Sequence, residues 1–328
     1  NLSGHVGEFI YKDDEWNLVK IRVDRDVEVK RGSYYGNDYK VAENNWRSYN
    51  NPLTFEELTD SKDIAYFNSD NVISCDMRKY ISKLKYVLLE PRRNSPFVMD
   101  LACGRGSALL TFFRLKMHTA LFIDKDASAL DSLIQRKHTI DHHGFKMGIY
   151  TQTLDLSSGM MDNMKKIKTS CIPLPLDGVP LITCFLAMSY FSESKTTMFN
   201  FIEFVDQNLA KKGTLVLLYF NGAKLHETLK DNKAISFDIC GDKYKIVRRY
   251  EDEELLNYGQ AIDFKCAFTG GQYYREYLTN PEYLINTFKK CGITICESGN
   301  SLDMHVGISV NPMEKAYLYF LDYLIFTR

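Results

Sequence analysis

The sequence predicts an α/β protein of Rossmann-like type, in which helices cover both faces of a mostly parallel sheet. Three observations support this fold. Strand and helix patterns alternate from about residue 70 onward. A glycine-rich turn, DLACGRG at residues 100–106, lies where the first strand gives way to a helix. The second strand ends on Asp124, at the sheet edge where open α/β folds bind ligands.

The alternation can be followed along the chain. Residues 70–89 carry apolar side chains at helical spacing, with basic residues on the opposite face. Buried strands are predicted at 96–101, 120–124, 148–154, 181–187 and 213–220. Helices are predicted to begin near 108 and 127 and to lie between the last two of these strands. The final hundred residues predict strands at 244–247, 261–268, 293–296 and 317–326, and a helix at 281–290.

Composition excludes several classes of protein. The chain has 328 residues, 45% hydrophobic and 25% charged, and no apolar run approaches the roughly 18 residues that span a bilayer. The 41 basic and 42 acidic residues give a net charge of −1, so a nucleic-acid partner must be bound by a local patch. The eight cysteines are scattered, which favours reduced thiols and a cytoplasmic location.

A change in character near residue 60 predicts two domains, 1–60 and 61–328. The first is polar and rich in turns, with short strands at 8–12 and 16–24 and an asparagine-rich linker at 44–52. Without a signal peptide, and with Asn1 rather than Met at its start, the chain is expected to be part of a longer protein.

The turn at 100–106 predicts a ligand site. Gly104 and Gly106 let the backbone approach a ligand, and the next helix directs free amides at it. The turn lacks the Gly-Lys-Ser/Thr of NTPase loops and the spaced glycines of dinucleotide sites. Asp124 suits the two ribose hydroxyls of an adenosine, and Asp100 suits an ammonium group. S-Adenosylmethionine has both features, and a purely structural β–α turn is the alternative.

Two further strand ends contribute candidates. Asp155 follows the third strand and suits the adenine amino group, with a helix cap as the alternative. The fourth strand ends in FLAMSYF at residues 185–191, at the same edge of the sheet.

Taken in order, these segments resemble the S-adenosylmethionine-dependent mRNA cap guanine-N7 methyltransferases. The resemblance covers about residues 70–328 and includes the turn at 100–106, both acidic strand ends and AMSY at 187–190. Residues 83–88 are similar to the family's lysine-bearing helix, and residues 275–278 to the segment whose glutamate reads the cap guanine. The resemblance implies a seven-stranded sheet, S-adenosylmethionine as the cofactor and no metal.

The resemblance also implies two sets of site residues. Cofactor contacts are implied at Lys85, Asp100, Ala102, Gly104, Gly106, Asp124, Asp155 and Phe185. Cap contacts are implied at Glu276, Tyr190, Ser189, Tyr323, Arg78 and Lys79, with Tyr319 as the alternative to Tyr323. The family usually has glycine at the position of Ala102 and histidine at that of Ser189, so part of the guanine pocket must be built otherwise.

Residues 16–25 resemble the final motif of mRNA guanylyltransferases, with Lys20 and Arg25 as its basic residues. In the capping enzymes of large cytoplasmic DNA viruses, the OB-fold tail of a guanylyltransferase precedes an N7 methyltransferase domain. The resemblance is to enzymes of the African swine fever virus type and to the related poxvirus large subunit. The nucleotidyl-transfer motif Lys-x-Asp-Gly is absent, so GMP transfer is not expected. The expected partners are the capped 5′ end of RNA and other domains of the same enzyme, with no membrane.

Methylation of guanine N7 needs no general base, because N7 already carries a free lone pair. The cap triphosphate needs cations, and the candidates are Arg78, Lys79, Lys83, Arg92, Arg93 and Arg105. The alternative for these basic residues is a solvated helix face. The alternative for Glu276 is a solvated surface glutamate. The aromatic stretch 272–277 could stack on bases or could be an edge strand of the sheet. The histidines at 138, 142 and 143 have no Cys or carboxylate to complete a metal site. Another methyltransferase of this fold and a non-catalytic scaffold remain the alternative functions.

Overall fold

The structure is a computed structural model that describes residues 5–12, 15–31, 75–140, 146–170, 172–269 and 272–328. Residues Asn1–Asp63 and Ile64–Arg328 form two compact units. The predicted domain boundary at residue 60 and the predicted linker at 44–52 lie outside the described residues. Among the helices of the described segments, none has the length and apolar character that a membrane crossing requires.

The regular elements are numbered here in chain order. The strands are β1 (Gly7–Lys12), β2 (Glu15–Ile21), β3 (Val98–Leu101), β4 (Thr119–Asp124), β5 (Gly148–Thr153), β6 (Val179–Phe185), β7 (Leu209–Phe220), β8 (Ala234–Ile239), β9 (Asp242–Arg248), β10 (Ala261–Lys265), β11 (Tyr274–Tyr277), β12 (Thr294–Asn300) and β13 (Leu321–Thr327). The helices are α1 (Val23–Lys30), α2 (Asp76–Leu89), α3 (Leu109–Arg114), α4 (Ala127–Ile140), α5 (Met160–Thr169), α6 (Met188–Phe191), α7 (Lys195–Asn208), α8 (Gly222–Lys230), α9 (Pro281–Lys290) and α10 (Pro312–Leu318).

In the first unit, β1 and β2 form an antiparallel hairpin that α1 follows. The strand predicted at 16–24 ends at Ile21, because Val23–Lys30 is helical. The side chain of Asp26 on α1 accepts hydrogen bonds from His5 Nδ1 (2.7 Å) and from the backbone of Val6 (3.1 Å), which ties the helix to the segment before β1.

The second unit is built on a seven-stranded sheet in the order β12-β13-β7-β6-β3-β4-β5. The last five strands of this order run parallel to one another, and β13 is antiparallel to both β12 and β7. The chain moves from β3 outward through β4 to β5 and then returns to β6 on the other side of β3. The carboxyl ends of β3 and β6 therefore form the switch point where α/β sheets open a ligand crevice.

Each face of this sheet carries its own hydrophobic cluster, because successive strand residues point to opposite faces. Val98 packs with Leu84 of α2 and Phe112 of α3 on one face. Met99 packs with Phe201 of α7 and the other apolar residues of the opposite face. The predicted α/β fold, mostly parallel and covered by helices on both faces, is confirmed.

A second, four-stranded antiparallel sheet has the order β11-β10-β9-β8. Its inner face joins the first hydrophobic cluster through Tyr317 of α10, whose ring meets those of Phe220, Phe237 and Tyr244 edge-on, at 5.3–5.5 Å between centroids. Phe220 belongs to β7 and the other two to β8 and β9, so Tyr317 links the two sheets.

The prediction of one strand over residues 317–326 is wrong, because residues Pro312–Leu318 form α10 and β13 begins only at Leu321. The helix begins at an Asn311 cap, whose side chain accepts from the Glu314 backbone. The two carboxylate oxygens of Glu314 accept from Asn311 N (3.0 Å) and from Met77 N in the first turn of α2 (3.1 Å). The helix α10 thereby also fixes the start of α2.

Gly222 follows β7 of the central sheet, and Thr279 follows β11 of the second sheet, so their contact joins the two sheets. The backbone of Gly222 donates to Thr279 O (2.9 Å), and a Cβ at position 222 would collide with that same carbonyl. We expect Gly222→Ala to lower the free energy of unfolding in urea by about 1–3 kcal/mol. Gly159→Ala is the matched control, since a Cβ at position 159 would meet nothing within 4 Å. Equal stability of the two variants would contradict this account of the junction.

Candidate functional site

The glycine-rich turn follows β3 and has an unusual backbone. Ala102, Gly104 and Gly106 have φ of +49°, +53° and +69°, in the left-handed region. A Cβ on Gly106 would also collide with the side chain of Leu133 on α4, so only glycine fits there. Ala102 adopts its conformation at a cost of about 1–2 kcal/mol, which is the physical reason to expect glycine at this position.

The turn is held from two sides. Gly104 N donates to Asp124 Oδ2 (2.6 Å) at the end of β4. The guanidinium of Arg136 on α4 donates to the carbonyls of Arg105 (2.6 Å) and Gly106 (3.2 Å). These bonds fix the backbone path beside the carboxyl edge of the sheet. The sequence gives no signal for Arg136, because nothing local distinguishes it from other basic residues on the same helix.

Two opposite charges are buried beneath the turn. Asp100 is 2% exposed and accepts from the hydroxyl of Thr183 (2.6 Å), while Lys85 is 3% exposed and donates to Ser107 Oγ (2.6 Å). Lys85 Nζ also lies 5.0 Å from the ring centre of Phe185. Such a carboxylate and ammonium can receive the ammonium and carboxylate of an amino-acid group.

Burial sets the protonation of this pair. Burial raises the pKa of Asp100 to about 7, although the Thr183 hydroxyl and the charge of Lys85 lower it. Burial lowers the pKa of Lys85 to about 8, and the charge of Asp100 opposes that shift. Both groups therefore titrate near neutrality, and a ligand of complementary charge would favour their ionised forms.

Thr183 is a site residue that the sequence analysis missed. The β3–β6 register places it directly beside Asp100. The available signal was a single hydroxyl residue inside the otherwise apolar run LITCF at 181–185.

The two acidic strand ends differ in their surroundings. The carboxylate of Asp124 accepts from the backbone of Gly104 and, through Oδ1, from Asp126 N (2.9 Å). Burial raises its pKa, and each of its oxygens retains a second acceptor position for a hydroxyl. Asp155 is exposed, and its Oδ1 accepts from the backbone (2.9 Å) and hydroxyl (2.6 Å) of Ser157, as in an Asx-turn.

A second cluster lies where α6 meets β11. Glu276 is 4% exposed on the inner face of β11 and accepts from the Tyr190 hydroxyl (3.3 Å). Ser189, the neighbour of Tyr190 on α6, is also buried. The alternative of a solvated surface glutamate is therefore wrong for Glu276. The aromatic stretch ends in an edge strand, because β11 is the outermost strand of its sheet.

The basic candidates do not share one environment. The Arg78 side chain is only 17% exposed and lies 3.8 Å from Asp242 at the start of β9. Lys79 is exposed and pairs with Asp76 (2.9 Å), and exposed Lys83 lies over the ring of Tyr86 (4.5 Å). A solvated helix face thus describes Lys79 and Lys83 and is wrong for Arg78.

The two late aromatic candidates occupy different places. Tyr323 is buried in β13, and its hydroxyl donates to Glu297 on β12 (3.2 Å). Tyr319 follows α10 and is 49% exposed, with Lys224 Nζ 4.8 Å from its ring centre.

Among the described residues, one group of three possible metal ligands occurs, formed by Cys75, Cys240 and Glu314 within 4.8 Å of one another. Both oxygens of Glu314 already accept backbone N–H groups, as described above. His142 and His143 lie outside the described residues.

The contact between Asp100 and Thr183 predicts a measurable pKa change. We expect Thr183→Val to raise the pKa of Asp100 by roughly 1, because the ionised carboxylate loses a hydrogen bond of about 1.5 kcal/mol. Thr183→Ser keeps the hydroxyl and is the control. Carboxyl-carbon NMR of aspartate-labelled protein measures the titration, and an unchanged Asp100 pKa in the valine variant would contradict the assignment.

Comparison of the sequence with known proteins finds no matching family model. The chain is 29% identical over 292 residues to the mRNA-capping enzyme of African swine fever virus (isolate Pig/Kenya/KEN-50/1950). This alignment covers 86% of this chain and 34% of that enzyme. It is 25% identical over 335 residues to the probable mRNA-capping enzyme of Acanthamoeba polyphaga mimivirus, covering 87% of this chain and 28% of that protein. The chain thus spans about a third of the length of these relatives or less.

Solved structures share the fold. The CcbJ methyltransferase from Streptomyces caelestis matches with a TM-score of 0.51 at 10% identity, over 75% of this chain and 94% of that one. An S-adenosylmethionine-dependent methyltransferase from Mesorhizobium loti matches with a TM-score of 0.50 at 15% identity, over 74% and 95%. The resemblance to viral mRNA-capping enzymes inferred from the sequence is confirmed by these relatives, and the chain has the fold of S-adenosylmethionine-dependent methyltransferases.

Proposed function

We propose that residues 64–328 transfer a methyl group from S-adenosylmethionine to N7 of the guanine cap of mRNA, converting GpppN to m7GpppN. The observation that carries the proposal is the buried carboxylate of Glu276, held by Tyr190 on the helix that follows β6. The Lys85–Asp100 pair lies at the same carboxyl edge of the central sheet. The names of the relatives, mRNA-capping enzymes, support the same activity.

The residues at the turn fit S-adenosylmethionine. Asp100 receives the α-ammonium group and Lys85 receives the carboxylate. A buried charge is costly unless a group of opposite charge lies beside it, and each end of the amino acid supplies such a group. Asp124 accepts from the ribose hydroxyls, and the proposed role of Asp155 is to accept from the adenine amino group through the oxygen that does not bond Ser157. When bound, the cofactor supplies a methyl group on a sulfonium, whose sulfur keeps the electron pair of the broken carbon–sulfur bond.

Glu276 gives the proposed cap site its preference for guanine. Its two oxygens accept from the N1–H and the N2 amino group, a donor pair that adenine does not present. The donated bond from Tyr190 limits the rotation of the carboxylate. Because Glu276 is buried, its charge also stabilises the positive charge that develops on the guanine ring as the methyl group arrives.

Positioning is the main catalytic contribution of the chain. N7 attacks with its own lone pair, so no side chain has to remove a proton. Holding the reacting atoms in line can supply about 7–11 kcal/mol in favourable cases. The fixed backbone of the turn and the fixed carboxylate of Glu276 are the elements that provide this orientation.

The direct test is incubation of the chain with methyl-labelled S-adenosylmethionine and either GpppG or GpppA, followed by nuclease digestion. The proposal predicts label in 7-methylguanine. Label on a ribose 2′-hydroxyl would identify another RNA methyltransferase of this fold. Binding of S-adenosylhomocysteine without any transfer would identify a scaffold, and both results contradict the proposal.

Glu276→Gln separates recognition of the cap from binding of the cofactor. The amide turns one acceptor into a donor that faces guanine donors, so we expect kcat/KM for GpppG to fall by about 100-fold or more. The dissociation constant of S-adenosylhomocysteine, measured by calorimetry, should not change. Glu193→Gln is the matched control, because Glu193 also accepts from a tyrosine hydroxyl, that of Tyr277 (3.1 Å). Similar losses in both variants would make Glu276 structural.

Binding of S-adenosylhomocysteine should depend on pH through Asp100. In the protein without ligand, the pKa of Asp100 is about 7. The ligand ammonium lowers this pKa, so binding below pH 7 releases a proton from Asp100. The contribution of Asp100 to affinity is therefore largest above pH 7 and is lost as the pH falls, by about tenfold per pH unit in the limit. At higher pH the affinity falls again, because Lys85 loses its proton near its pKa of about 8. Calorimetry between pH 5.5 and 7.5 measures this slope. Asp100→Asn should bind weakly and without the slope, and a wild-type affinity independent of pH would overturn the role of Asp100.

A further inference from the structure

The four-stranded sheet has two faces of different character. The inner face packs into the hydrophobic cluster and also carries Glu276. The register assigns to the outer face Lys243, Lys245, Asp238, Asp263, Lys265 and Arg275. Arg249, just after β9, joins this face through its bond to Asp263. Among the described residues of the face, five cations thus stand against two carboxylates.

The cations are arranged for an external partner. Lys245 and Lys265 lie directly opposite each other on neighbouring strands, an arrangement that destabilises a sheet on its own. Arg249 and Arg275 each donate through Nε to a different oxygen of Asp263, at 2.5 and 2.6 Å. Their side chains remain 50% and 43% exposed, so Asp263 holds two guanidinium groups side by side while they face solvent.

An exposed aromatic residue adjoins these charges. Tyr273 is 41% exposed, and Lys265 Nζ lies 5.9 Å from its ring centre. Cations that follow a backbone, combined with an aromatic ring on which a base stacks, are the usual elements of a single-stranded nucleic-acid surface.

This outer face continues from the site of Glu276. Arg275 and Glu276 are adjacent on β11, so their side chains point to opposite faces of the sheet. Because β11 is the edge strand, a chain leaving the proposed cap site at Glu276 reaches the outer face by passing around one strand. Four strands give a face about 14 Å wide, which a short stretch of single-stranded chain can cross.

We propose that the outer face of the four-stranded sheet binds the RNA chain that follows the cap, with Lys243, Lys245, Lys265, Arg249 and Arg275 on its phosphates and Tyr273 stacked on a base. This inference rests on the proposed function for the cap site at Glu276. The surface raises affinity for capped RNA over the cap alone, and it takes no part in methyl transfer.

The test replaces three cations and leaves the guanidinium pair intact. The variant carries Lys243→Gln, Lys245→Gln and Lys265→Gln. The matched control carries Lys165→Gln, Lys166→Gln and Lys168→Gln on α5. It also removes three exposed lysines, but from a helix that packs on the other face of the central sheet. Binding of a labelled 20-nucleotide RNA with a GpppG end is measured by fluorescence anisotropy from 50 to 200 mM salt. Methylation of the dinucleotide GpppG is measured in parallel.

We expect the sheet variant to bind the capped RNA about tenfold more weakly at 50 mM salt, with a salt slope shallower by about 2, because three single-strand phosphate contacts are lost. Its kcat and KM for GpppG should match those of the wild type, which also shows that it folds. Tyr273→Ala should weaken RNA binding severalfold and Tyr273→Phe should not. The α5 control should bind as the wild type does.

Three results would overturn the proposal. The first is a sheet variant that binds RNA as the α5 control does. The second is equal displacement of the RNA by a polyglutamate peptide of matched charge, which would identify an acidic protein partner. The third is a Tyr273→Ala variant with full affinity. If the wild type fails to methylate GpppG, the proposed function fails by itself, and uncapped RNA of the same sequence still tests the surface.

Discussion

The burial of two opposite charges at the carboxyl end of β3 is the constraint on which the site depends. Lys85 comes from α2 and Asp100 from β3, and both are almost fully removed from solvent. Taking such groups out of water costs several kcal/mol each, and only good geometry offsets that cost. Thr183, Ser107 and the tightly held turn provide this geometry. In the proposed function, this geometry holds the pair in place before the zwitterionic end of the cofactor binds.

The second sheet depends on the same helix. Glu314 of α10 caps the first turn of α2, and Tyr317 of α10 packs against β7, β8 and β9. One short helix, α10, thus fixes the position of α2, which carries Lys85, relative to the four-stranded sheet, which carries Glu276. In the proposed reaction this arrangement sets the distance between the methyl donor and the guanine, so a loss of packing at α10 would affect both binding sites together.

The sequence predicts the parallel part of the fold well, because strands buried on both faces appear as continuous apolar runs. Asp100 and Asp124 were found because strand ends mark their places. Lys85 was found only through the family resemblance, since the helical pattern assigned it to the basic face and the structure buries it. Thr183 and Arg136 were missed because they act on residues far away in the chain, and such pairing leaves only a weak local signal. The burial of Arg78 beside Asp242 was missed because the strands predicted in the last hundred residues were not assigned to a second sheet.

The central claim is that the Lys85–Asp100 pair holds the amino-acid end of the cofactor. Comparing S-adenosylhomocysteine with 5′-methylthioadenosine tests this most directly, because the second ligand keeps the adenosine and lacks the amino acid. Calorimetry of the wild type should show a large preference for S-adenosylhomocysteine. In Asp100→Asn that preference should fall by about tenfold or more, with the affinity for 5′-methylthioadenosine unchanged. Equal binding of the two ligands by the wild type, or equal weakening of both in the variant, would contradict the account.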